Sequence, residues 1–110
     1  MEDIRIETRE KTILAGLDAG VFSREETATE STMDELEALL ETAGGVCVGR
    51  LLQSRPAPDP HSFLGEGKAE ELRQAVEATD ATMVIFDNDL SPSQIRSLEE
   101  ITGATVLDRS

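Results

Sequence analysis

The chain reads as an α/β domain, with a small, mainly parallel sheet of four strands flanked by three helices in one unit. Three observations point there. Short apolar runs alternate with amphipathic stretches along all 110 residues, in the order β-α-β-α-β-α-β. Thr82–Phe86 (Thr-Met-Val-Ile-Phe) has the unbroken apolar character of a parallel strand covered on both faces. Ser91-Pro92-Ser93-Gln94 places a Ser, a Pro and a Gln where helix starts prefer an N-cap, N1 and N3 residue. A chain of this length buries roughly two thirds of its unfolded surface, enough for a modest core.

The elements follow in order. Residues 1–10 are polar and read as a flexible lead. Lys11–Leu17 is apolar enough for a buried strand, and Asp18–Glu30, rich in acids, reads as a mobile loop. Ser31 then has the character of an N-cap, with Asp34 in the position of a capping-box acid. Met33, Leu36, Leu39, Leu40 and Ala43 recur at helical spacing as the inward face, and Gly44-Gly45 ends the helix. Val46–Gln53 is the second strand. Gly67–Thr79 forms the next helix, with Ala69, Leu72, Ala75, Val76 and Thr79 inward. After Thr82–Phe86, a third helix starts at Ser91, turns Ile95, Leu98 and Ile101 inward, and stops at Gly103. Ala104–Leu107 is the last strand. Right-handed crossovers are expected between parallel strands, and the strand order taken is 2-1-3-4. The step Phe63-Leu64 could add a short edge strand.

Composition excludes several classes. The formal net charge is −13, so free nucleic acid is repelled by the chain as a whole. Eight of the ten basic residues are Arg, and this acidic, Lys-poor balance fits either a solubilising surface or a high-salt cytoplasm. Cys47 is the only cysteine, so there is no internal disulfide, and a reducing compartment fits. No apolar run approaches the ~20 residues of a membrane span, and the first residues lack the pattern of a signal peptide. These features point to a cytoplasmic protein.

The most specific segment is Arg55–Lys68, Arg-Pro-Ala-Pro-Asp-Pro-His-Ser-Phe-Leu-Gly-Glu-Gly-Lys. Pro56, Pro58 and Pro60 stiffen it into an extended arm. Gly65-Glu66-Gly67-Lys68 then opens a helix whose free N–H groups and adjacent Lys68 suit an anion. A P-loop needs four residues between its glycines and a Ser or Thr after the Lys. Here one residue separates them and Ala69 follows. The glycines therefore read as a structural turn, or as the contact for a phosphate on a larger partner, with Arg55, Gly65, Gly67 and Lys68 as the contact residues.

Asp87-Asn88-Asp89 stands at the carboxyl end of a buried strand, where open α/β sheets place their chemistry. It reads as a solvated turn or, in the alternative, as the acidic site of a small self-standing enzyme or phospho-receiver-like domain using Asp87 or Asp89. A receiver would need a Lys on the last strand, and Ala104–Leu107 offers none. His61 is the only histidine and lies among prolines. Cys47 alternates with Val46 and Val48 as a small core residue. One His and one Cys cannot build a zinc cluster.

Taken together, three ordered segments resemble a known family. Arg55-Pro56-x-Pro58-Asp59-Pro60-x-Ser62-Phe63-Leu64-Gly65-x-Gly67-Lys68 looks like the first signature of the N-terminal domain of HflX-type GTPases. Leu90–Glu99 resembles its second signature, with Ser97 where the family often has Asn, and Val106-Leu107-Asp108-Arg109-Ser110 resembles its closing segment. The resemblance runs from about Lys11 to Ser110. It implies a non-catalytic docking and regulatory domain that associates with the large ribosomal subunit and modulates an attached GTPase. A helical linker and a GTPase domain, neither carried by this chain, are the implied intramolecular partners. On this reading GTP and Mg belong to the GTPase domain, and this chain has no cofactor of its own and no metal site.

Overall fold

The computed structural model describes residues 10–18, 28–54 and 57–109. Their elements are β1 (Lys11–Asp18), α1 (Glu30–Thr42), β2 (Val46–Ser54), α2 (Glu66–Thr79), β3 (Met83–Phe86), α3 (Pro92–Thr102) and β4 (Thr105–Leu107). The four strands form one sheet in the order β2-β1-β3-β4, every neighbour parallel. This is the expected order. The flexible lead expected over residues 1–10 and most of the loop expected over Asp18–Glu30 lie outside the described residues.

Strand β1 is central, and its alternation divides the core in two. Ile13, Ala15 and Leu17 join Leu72, Val76, Val84, Phe86, Leu98 and Val106 beneath α2 and α3. Leu14 faces the other way, to Ala28 and Met33 on the α1 side. Each large aliphatic side chain so buried contributes about 1.5–3 kcal/mol. Gly16 is required by close approach, since a Cβ there would stand 2.6 Å from the Ala28 Cβ.

The helix starts differ in what sets them. α3 begins as read, with Ser91 as N-cap and Gln94 completing a reciprocal capping box. α1 does not begin at Ser31. Its N-cap is Thr29, two residues earlier, and Thr32 closes the box, its hydroxyl accepting from the Thr29 N–H at 2.8 Å. The expected inward face of α1 is also too wide. Met33 is buried and Leu36 and Leu40 are partly buried, but Leu39 is 67% exposed and Ala43 is exposed. α1 covers only one half of its sheet face, so a residue on its outer flank has nothing to pack against.

The Phe63-Leu64 step adds no edge strand. It forms a single antiparallel bridge, Asp59 to Phe63, within the arm itself.

Candidate functional site

The arm is built by its own polar groups. The Asp59 carboxylate accepts the backbone N–H groups of His61 and Ser62 at 2.8 and 2.9 Å. The Asp59 and Phe63 backbones exchange two hydrogen bonds of 2.9 Å each. The Leu64 N–H then donates to the Ser62 carbonyl at 2.6 Å across Phe63, whose φ is 67°. That is the pattern of a γ-turn, an uncommon conformation for a bulky residue. Burial holds it there: Ser62, Phe63 and Leu64 are 1%, 4% and 1% exposed. Phe63 stands edge-on to Phe86 with ring centroids 5.8 Å apart. The arm is therefore not extended surface along its whole length. Its tip is core, because a γ-turn turns two successive apolar side chains under the sheet.

The second signature clamps the first. The Gln94 amide uses both ends, accepting the Ser91 N–H at 2.8 Å and donating to the Asp59 carbonyl at 3.0 Å. Ser97 Oγ lies 3.4 Å from His61 Nδ1. The closing segment clamps the exit of β3 in the same manner. Asp108 accepts the Leu90 N–H at 2.8 Å, and Arg109 pairs with Asp87 at 3.3 Å. All three signatures thus converge beside the carboxyl ends of β3 and β4.

Asp87 and Asn88 are not a solvated turn. Asp87 is 6% exposed and also accepts the Thr32 hydroxyl, which ties α1 to β3. Asn88 is 2% exposed. Its side chain accepts the Leu17 N–H at 2.8 Å and donates to the Leu17 carbonyl at 3.1 Å. These bonds lie between β1 and β3, where the sheet reverses its winding and where α/β domains commonly bind ligands. Here a side chain of the protein itself occupies that crevice. Asp89 is exposed. Among the described residues no group of three or more His, Cys, Asp or Glu could hold a metal ion, and no helix is long and apolar enough to cross a membrane. Sequence reasoning missed the tertiary roles of Asn88, Gln94 and Thr32. For Asn88 the only signal was a polar residue close behind an apolar strand.

The expected contact residues are placed as follows. Arg55, with Pro56, lies outside the described residues. Gly65 is the N-cap of α2, with φ at 90°, and no side chain caps that helix. A Cβ at Gly67 would meet nothing within 4 Å, so the backbone there is approachable. Lys68 reaches Glu71 at 2.9 Å in a solvent-facing pair, of the kind worth about 0–1 kcal/mol. Arg50 is held by Glu30, Asp34 and Glu37 at 2.8–2.9 Å, and is not available to a phosphate on these terms. Beside the arm lies an open groove of about 290 Å³ between His61, Glu66, Glu70 and Ile101. Its two carboxylates disfavour an anion within it.

Cys47 is partly buried, and burial raises its thiol above the ordinary range. It suits a core position better than a nucleophile.

Comparison with known proteins agrees with the convergence of signatures. The family described as GTP-binding GTPase N-terminal matches residues 30–110. The chain is 38% identical over 104 residues to a GTPase HflX of Lacrimispora saccharolytica, covering 94% of this chain and 24% of that protein. It is 37% identical over 110 residues to a GTPase HflX of Alkalihalophilus pseudofirmus, covering 100% of this chain and 25% of that one. It is 45% identical over 78 residues to the GTPase HflX of Escherichia coli, covering 71% of this chain and 18% of that one. The chain spans about a quarter or less of the length of these relatives. It therefore belongs to the GTP-binding GTPase N-terminal family, as an N-terminal domain of the HflX type.

Proposed function

We propose that this chain is a non-catalytic docking and regulatory domain of an HflX-like GTP-binding protein, that it associates with the large ribosomal subunit, and that it modulates the GTPase attached to it. The observation that carries the reading is the use to which the signature residues are put. Asp59, Gln94, Asp87, Asn88, Asp108 and Arg109 bond to neighbouring backbone and side chains, and build a rigid corner. These bonds hold backbone and side chains in place and are not the nucleophile–base contacts that covalent catalysis needs. A pre-ordered surface loses little conformational entropy on binding, which suits a docking element.

On this reading Arg55, Gly65, Gly67 and Lys68 face the ribosome. Arg55 and Lys68 meet phosphate charge, and the two glycines leave the backbone open to it. The acidic remainder of the domain faces away from RNA or toward basic ribosomal proteins. The chain itself turns over no GTP, because Gly65–Lys68 lacks the spacing and the following hydroxyl of a P-loop.

The test is ribosome pelleting with the full-length protein across a salt series. Arg55→Ala with Lys68→Ala is expected to weaken association. It should also flatten the salt dependence by about one unit of slope for each phosphate left without its cation. Normal pelleting by the double variant, with an unchanged salt slope, would remove these residues from the interface. GTP hydrolysis by the pure 110-residue chain, abolished by Lys68→Ala, would overturn the non-catalytic assignment.

A further inference from the structure

The groove of about 290 Å³ beside the arm lies between α2, which supplies Glu66, Ala69 and Glu70, and α3, which supplies Ile101. The arm adds His61 and Ser62. The lining is graded from core to surface. Ala69 is 1% exposed and Ile101 is partly buried, so these two form an apolar floor. Glu66 and Glu70 are exposed and stand at the rim.

The rim carries charge that the domain itself does not fully use. Glu66 and Glu70 are spaced i and i+4 on one helix, which sets their Cβ atoms about 5–6 Å apart on one face. Glu70 takes the Arg73 guanidinium from further along α2 at 3.0 Å, and that contact holds its carboxyl below the usual range. A carboxylate offers about four lone-pair sites, so Arg73 leaves Glu70 room for a second donor. The Glu66 carboxylate has no hydrogen bond or ion pair among the described residues. Lys68, between the two in sequence, is committed to Glu71 at 2.9 Å.

A second group points to what fits. Ser62 is 1% exposed. Its Oγ accepts the Gly65 N–H at 3.1 Å, and its own hydroxyl proton has no acceptor among the described residues. A buried donor in that state is disfavoured until an acceptor arrives.

The two carboxylates exclude a phosphate. The volume is at the small end of the ~300–1,000 Å³ typical of ligand sites, which suits a side chain in place of a nucleotide. An arginine matches each part. Its methylene stem lies along an apolar floor. Its planar fork of N–H donors spans two carboxylates, where the ammonium of a lysine is a point charge. The backbone of the peptide that carries it brings a carbonyl acceptor to Ser62, which a free polyamine does not. The net charge of −13 draws a basic segment toward the domain.

We propose that the groove between α2 and α3 is a docking site for an arginine-bearing segment of a basic partner protein. The guanidinium sits on Glu66 and Glu70, the stem on Ala69 and Ile101, and a neighbouring backbone carbonyl on Ser62. This docking is independent of ribosome association, and failure of either leaves the other intact.

Methyl-labelled alanine and isoleucine in the full-length protein report on the floor by NMR, with the Ala69 and Ile101 signals assigned by Ala69→Gly and Ile101→Val. Acetyl-Gly-Arg-Gly-amide should shift both signals along a saturable curve, and acetyl-Gly-Gln-Gly-amide and inorganic phosphate should not. Glu66→Gln with Glu70→Gln should weaken binding of the arginine peptide by roughly fivefold or more. Glu71→Gln, on the same helix but off the groove, should change it by less than about twofold. Glu66→Gln alone serves if the double variant melts early. An unchanged affinity in the double variant, or an equal response to the neutral peptide or to phosphate, would overturn the proposal. So would shifts of the same methyls on concentrating the protein alone, which would assign the groove to a second copy.

Discussion

Asn88 shows how much one amide can hold. Both ends of its side chain bond to the Leu17 backbone in a place sealed from water. Removing it leaves the buried Leu17 N–H without a partner, at about 1–3 kcal/mol, whereas the Leu17 carbonyl keeps the Ala28 N–H at 3.0 Å. Asn88→Ala is expected to lower stability in urea by about 1–3 kcal/mol, while Asp89→Ala, next to it and exposed, stays within ~0.5 kcal/mol. Equal effects at the two positions would discard the latch. Phe63 makes a second residue-scale case. Truncation to Ala should cost about 3–5 kcal/mol, because Phe86 would face a cavity in place of a ring. Because φ is positive there, Phe63→Gly should be no worse than Phe63→Ala, against the usual order of Gly and Ala. Cys47 is expected to react slowly with iodoacetamide. Burial disfavours the thiolate, so the rate should rise with pH about a midpoint above that of free cysteine. A midpoint at or below the free value would make it a reactive thiol.

Among the elements, the start of α1 separates local signal from tertiary choice. Ser31 with Asp34 is an acceptable start in isolation, yet Thr29 takes the cap. Its box partner Thr32 also reaches Asp87 on β3, and only the fold can supply that bond. Thr29→Ala should therefore cost about 1 kcal/mol and Ser31→Ala less than ~0.5 kcal/mol, measured by denaturant midpoint at constant slope. The reverse order would restore Ser31 as the cap. The start of α3 was legible because Ser91, Pro92 and Gln94 act within four residues of one another. The strands were legible because apolar runs are a strong constraint, whereas crossover handedness narrows their order without selecting one. The arm was legible as a special segment but not as partly core. Its prolines and glycines advertise a loop, and nothing local shows that a γ-turn buries Phe63 and Leu64. For the same reason the exposure of Leu39 was not readable. Helical spacing gives the stripe, whereas the width of the sheet face decides which part of it is covered.

At the scale of the molecule, charge sets the environment the domain prefers. With −13 on 110 residues, mutual repulsion opposes compaction, and salt screens it over ~8–10 Å. The melting temperature should rise between low and moderate NaCl concentrations, as calorimetry would show. A fall would mean that local pairs such as the Arg50 cluster outweigh the repulsion.

Strand β1 is emitted first and lies in the middle of the sheet, and this has a consequence during synthesis. The far side of its pairing with β3 comes much later in the chain, as at Leu17 and Asn88, which are 71 positions apart. At about 5–20 residues per second, those partners arrive roughly 4–14 s after β1 itself. For that interval the most buried strand of the fold has β2 at most on one side and nothing on the other, and the nascent domain is a client for whatever shields bare strand edges at the ribosome. A slow stretch of codons before β3 would lengthen the wait, and one placed after β4 would not.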